Sequence, residues 1–79
     1  MKLLNKIDNY LYDREYRIII KINEVNIINY DEIIDFSLTQ ISVKYNNKKI
    51  IIDGKNLVIS KMLDNEVLVT GDIYNVRIN

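Results

Sequence analysis

The chain has 79 residues, 9.4 kDa, with 11 Lys and Arg against 11 Asp and Glu and no formal net charge at pH 7. That is room for one small domain, and it lacks the basic excess of a protein built mainly to grip nucleic acid. His, Cys, Trp, Pro and Ala are absent. No Cys means no disulfide framework, thiolate nucleophile or iron–sulfur ligand set, and no His removes the commonest general base and zinc ligand.

Residues 2–12 carry apolar side chains at helical spacing. Leu3, Leu4, Ile7, Tyr10 and Leu11 fall on one face, with Lys2, Lys6, Asp8 and Asn9 off it. This predicts a short amphipathic helix. So short a helix is marginal alone in water, so it docks either on its own sheet or on a partner or membrane surface. Residues 1–14 carry one net positive charge, which gives little attraction to anionic lipid. The longest apolar runs here, such as Ile18 to Ile20 and Ile50 to Ile52, have three residues. A membrane-spanning helix needs about 20 and a signal peptide a stretch of about 7–15, so the expected compartment is the cytoplasm, with no membrane span.

From Tyr16 the pattern changes to period two. Ile18, Ile20 and Ile22 oppose Arg17 and Lys21; Val25 and Ile27 flank Asn26; Ile34, Phe36 and Leu38 alternate with Asp35 and Ser37. Ile41, Val43 and Tyr45 follow, then Ile50 to Ile52, Leu57 to Ile59, Val67 to Val69, and Tyr74, Val76 and Ile78, making eight β-branched-rich segments in all. Asn23-Glu24, Asn29 to Asp31, Asn46-Asn47, Asp53-Gly54, Asp64-Asn65 and Gly71-Asp72 supply turn chemistry between them. The connections are too short for parallel crossovers, so the sheet should be antiparallel. Gly54 and Gly71 occupy equivalent settings and are structural. Each is either a hairpin turn or a bulge that bends one continuous strand.

The expected fold is all-β: a twisted antiparallel sheet of about eight short strands forming a roll or open barrel, with the N-terminal helix over residues 1–15 and the β domain over 16–79. The expected core is Ile20, Ile22, Ile27, Ile34, Phe36, Ile41, Val43, Ile52, Leu57, Ile59, Val67, Val69, Val76 and Ile78. Ile19, Ile28, Ile51, Val58 and Leu68 have the opposite parity. They are exposed, and then available to a partner, unless a second layer covers them.

Little chemistry is legible. The acidic pairs Asp31-Glu32 and Asp64 to Glu66 fall in predicted turns, where solvated carboxylates are ordinary, and no acidic calcium-loop pattern exists. Ser37, Ser42 and Ser60 lack any His partner for a hydrolase triad. The two glycines are 17 residues apart, so no phosphate cradle exists. No catalytic residue, cofactor or metal is expected. Lys44, Tyr45, Lys48 and Lys49 are the nearest thing to the basic–aromatic cluster of a small single-stranded nucleic-acid-binding β-barrel. Tyr45, however, shares the apolar face of Ile41 and Val43, and edge lysines also keep strands from pairing with strangers.

The strings NIINYDEIIDFS, IIIDGKNLVISKML and EVLVTGDIYNVRI resemble the YabP/YqfC family of sporulation proteins, closest to the YqfC branch. Asn29, Ile33, Ile34, Phe36 and Ser37 carry the first part. Ile52, Gly54, Leu57 and Ile59 carry the second, and Leu63, Val67, Val69, Gly71, Ile73 and Val76 the third. One departure is Asn46-Asn47-Lys48, where the family commonly has a Gly; Asn can take the same turn conformation. The resemblance implies a non-catalytic protein-interaction module of endospore formation. It implies action in the mother cell with a membrane-bound sporulation protein as partner, placed peripherally at a membrane through that partner, and allows a homo-oligomer. The candidate interface is Leu3, Leu4, Ile7, Leu11, Ile51, Val58 and Leu68, and the structural turns are Asn29, Gly54 and Gly71.

Overall fold

The computed structural model describes residues 16–79. The expected helix, and with it Leu3, Leu4, Ile7 and Leu11, lies outside the described residues. Those residues form six strands: β1 (Arg17–Lys21), β2 (Glu24–Ile28), β3 (Glu32–Phe36), β4 (Gln40–Tyr45), β5 (Lys48–Leu63) and β6 (Glu66–Ile78). They make one open antiparallel sheet in the order β1-β2-β6-β5-β4-β3.

The count is six rather than eight because neither glycine ends a strand. Asp53-Gly54 and Gly71-Asp72 are not turns; both lie inside the long β5–β6 hairpin. Lys55 pairs with Asp72 and Val58 with Thr70, so Asn56 and Leu57 together oppose Gly71. Tyr74 is a second extra residue, on β6 between the Asp53–Asn75 and Gly54–Ile73 pairs, and Ser60 a third, on β5. Bulges of this kind bend a strand and increase its local twist. Asn56 takes a left-handed conformation at φ 55°, and Gly71 stands at φ 138°. Gly71 would bring an added Cβ to 2.7 Å from Asn56 O, and Gly54 would drive one into Asp72 O. At Asn29 (φ 63°) and Asn46-Asn47 (φ 50° and 63°) the turn expected from Asn is present.

The hairpin therefore has two arms. Residues 66–70 of β6 carry β2 and then β1, whereas residues 48–53 of β5 carry β4 and then β3. Their inward faces merge into one core: Val25, Ile27, Val67 and Val69 from the first arm, with Ile41, Val43, Tyr45, Ile50, Ile52 and Leu57 from the second. The arms also touch at the ends. The rings of Tyr16, just before β1, and Tyr45, ending β4, meet edge to face with centroids 5.4 Å apart. Within the first arm, Asn29 N–H donates to Asn65 O at 2.6 Å and prolongs the β2–β6 pairing beyond Ile28 and Glu66.

Several expected core residues are uncovered. Ile22 lies in the β1–β2 turn rather than in a strand. Ile34 is squeezed out by a bulge between Ile33 and Asp35, so that Ile33 takes the inward place opposite Val43. Ile20 and Ile78 pair with buried Val25 and Ile50 but stand at the sheet's margin and remain exposed. Ile59 and Val76 are half-buried against the core. Phe36 is the exception that matters for function.

Candidate functional site

Phe36 pairs with Ile41, a residue of the core face, and yet is 68% exposed. Its place on the sheet is inward, yet among the described residues no strand lies over it. The cause is the arrangement of β3 and the second half of β5. β3 is the last strand of the sheet, and β5 pairs with β4 only through residues 48–53. Residues 58–63 of β5 therefore have β6 on one side and, among the described residues, no ladder on the other.

These two edges approach at their ends and part between. At one end Leu57 N–H donates to Leu38 O at 2.9 Å and Gly54 N–H to Thr39 O at 3.0 Å. The β3–β4 loop that offers these carbonyls is set by Ser37 Oγ, which accepts from the Gln40 N–H at 3.1 Å and the Thr39 N–H at 3.3 Å. At the other end Tyr30 Oη donates to Leu63 O at 2.8 Å. Between them runs an apolar groove in two connected hollows that share Phe36 and Ile59. Leu38 and Val58 flank one hollow, Tyr30 and Met62 the other, and buried Ile41 and Leu57 form part of the floor. Leu38, Val58, Met62 and Leu63 are all exposed. Asp31 and Glu32 give the rim negative charge. An exposed apolar run of this kind on a small domain is a candidate contact surface.

The remaining polar features hold the fold. On the outer face Asp53 accepts from Gln40 Nε2 at 2.9 Å and from Arg77 Nε at 3.1 Å. These hydrogen bonds, Gln40 first and Arg77 second, hold its carboxyl below the usual range. Burial, with Tyr16 beside it, pushes the Tyr45 phenol up. Among the described residues no group of three or more acids is placed to hold a metal ion, and no helix is long and apolar enough to cross a membrane. Tyr45 is buried, so Lys44, Lys48 and Lys49 have no exposed ring from it on which a base could stack.

The candidate interface of opposite parity is largely covered. Ile51 is buried, at 8% exposure, and offers no contact surface; Ile19, Ile28 and Leu68 are half-buried. Val58 is exposed and lines the groove. Period-two counting puts Phe36 on the inward face, as its pairing with Ile41 bears out, but it cannot show whether another strand passes over that position.

The YabP family profile matches residues 13–79. The chain belongs to the YabP family. Membership in the YabP family implies a sporulation-related role, in a family of small all-β proteins without known catalytic activity; the match does not separate the YqfC branch from the rest. Comparison with curated proteins and with solved structures gave no match. Gly54 and Gly71, which permit the bend, and Ile33, Phe36, Leu57 and Ile59, which line the groove, all lie within the matched residues.

Proposed function

We propose that this YabP-family chain, of the YqfC branch, is a non-catalytic docking module of endospore formation, acting in the mother-cell cytoplasm on a membrane-bound sporulation protein. The groove between β3 and the second half of β5 is its contact surface. The observation that carries the reading is Phe36, a core-facing aromatic ring left 68% exposed in a groove floored by core residues. Large aromatic side chains in such hollows are the usual anchors of protein interfaces. A partner would enter as an amphipathic helix or as an extended strand beside an open sheet edge.

The test uses a spore-forming host whose own copy is replaced by the Phe36→Glu/Val58→Glu double variant. The wild-type protein is expected to sediment with membranes of sporulating cells, and the variant to stay in the supernatant while keeping its far-UV spectrum. A Tyr74→Glu control, exposed but away from the groove, should behave as wild type. Membrane recovery of the double variant equal to wild type would defeat the reading.

A further inference from the structure

We propose that the groove takes a cationic amphipathic helix: a cytoplasmic segment of the membrane-bound partner, next to a span, whose apolar stripe is flanked by Lys or Arg. This rests on the reading above of the groove as the contact surface, and adds the form and chemistry of what enters it.

An extended strand would have to pass between β3 and β5, and both ends of that passage are tied. Leu57 N–H is held by Leu38 O and Gly54 N–H by Thr39 O at one end, and Tyr30 Oη by Leu63 O at the other. A helix needs none of these backbone groups, because it lies over the hollows and meets them with side chains. From Leu57 to Leu63 the groove runs six residue steps of β5, roughly 20 Å at the rise of a strand. A helix of about 13 residues covers that length. The two hollows share Phe36 and Ile59, so one stripe of anchors at i, i+3 or i+4, and i+7 fills both.

The sign of the charge follows from the flanks. The residues lining the hollows include Asp31 and Glu32 and no Lys or Arg. β3 adds Asp35, exposed like Glu32. Among the described residues neither Glu32 nor Asp35 is in an ion pair, although Lys44 is the ladder neighbour of Glu32. On the opposite flank Lys61 is held by Glu66 at 3.7 Å. A stripe flanked by acids meets repulsion here, whereas one flanked by bases gains ion pairs at Glu32 and Asp35. Cytoplasmic stretches within about 15–20 residues of a membrane span carry an excess of Lys and Arg. A membrane-bound partner therefore supplies this chemistry where the module would meet it.

The test uses the purified full chain and two synthetic peptides of about 14 residues. Both carry the same Leu stripe at helical spacing; the remaining positions are Lys in one and Glu in the other. Titration calorimetry at low salt should show the Lys peptide binding about tenfold tighter, with the margin shrinking as salt rises. Glu32→Lys/Asp35→Lys should reverse the order, and Phe36→Ser should abolish binding of the Lys peptide. Equal affinities, no binding of either peptide, an order unchanged by the double reversal, or undiminished binding to Phe36→Ser overturns the proposal. A variant that loses the wild-type far-UV spectrum is set aside, and the two peptides on the wild-type chain still decide.

Two further outcomes would give the groove to another occupant. A Lys peptide with a central Pro cannot keep its helix and should bind about tenfold more weakly; equal binding points to an extended strand and overturns the proposal. Sedimentation equilibrium of the chain alone should show no dimer that Phe36→Ser removes; such a dimer points to a second copy and overturns it as well. These measurements need no sporulating cell. They can fail while the membrane-sedimentation test above succeeds, which would leave the groove a contact surface with a different occupant, and the reverse result would leave the peptide chemistry without the membrane partner.

Discussion

Gly54 and Gly71 each make room for the strand that carries the other. A Cβ at Gly54 would collide with the carbonyl of Asp72 on β6, and one at Gly71 would press on Asn56 O and on Leu57 Cα of β5. The bend of the β5–β6 hairpin depends on this mutual clearance. So does the groove, because the same bulges turn the N–H groups of Gly54 and Leu57 toward the β3–β4 loop.

Gly71→Ala should be destabilising for two reasons, a φ of 138° that side chains rarely adopt and the close approach to Asn56 O. The conformational part alone is about 1–3 kcal/mol. Gly54→Ala meets backbone rather than a flexible side chain, so its neighbour cannot step aside. Urea denaturation checks both, as a lower midpoint at unchanged slope.

Ile52 and Phe36 should behave oppositely, although both lie on the inward face. Ile52 is fully buried, and Ile52→Ala should cost about 2–5 kcal/mol through lost burial and the cavity left behind. Phe36→Ser should change stability by no more than about 0.5 kcal/mol, as expected for a mostly exposed site. Thermal unfolding of the two variants side by side decides.

Asn26 lies mid-strand in β2 with Nδ2 donating to Glu66 Oε2 at 2.8 Å, while its buried Oδ1 has no partner. Its ladder neighbours are Ile19 and Leu68, and Lys61 Nζ stands 3.7 Å from Glu66. Asn26→Val removes the unsatisfied oxygen and leaves Glu66 its lysine. A gain of up to about 1 kcal/mol is expected, read as a higher midpoint in denaturant.

Acid and base should act on different residues. The Asp53 carboxyl is held low by Gln40 and Arg77. Its contribution to stability is therefore present above the ordinary aspartate range and lost as pH falls through the lowered folded value. Asp53→Asn should flatten that acid limb. The Tyr45 phenol is raised by burial and by Tyr16, so its contribution is present below the ordinary phenol value of about 10 and lost as pH rises through the raised folded value. Tyr45→Phe should flatten the alkaline limb. Denaturation midpoints across the two ranges give both slopes.

Pairing and alternation were legible from the sequence, since β2, β4 and the first part of β6 keep strict period two and bury Val25, Ile27, Ile41, Val43, Val67 and Val69. The Asn46-Asn47 turn and the bend at Asn29 were legible from residue type. The strand count was not, because Asp-Gly and Gly-Asp read as turns whether the chain reverses or only bends. The alternation puts Phe36 inside for a sound reason: its parity matches Ile41. What the period cannot carry is whether another strand passes over that position, which depends on how far β4 runs along β5. The groove is a property of that mismatch in strand lengths, and no local pattern encodes it. The placement of Leu3, Leu4, Ile7 and Leu11 lies outside the described residues.

The central claim, that the protein works by contact through the groove, is tested most directly by a photo-crosslinking amino acid at position 36 in sporulating cells, with position 74 as the exposed control. A single discrete adduct to a membrane protein at position 36, absent at position 74, is the predicted result. No adduct at position 36, or the same adduct from both positions, would contradict it.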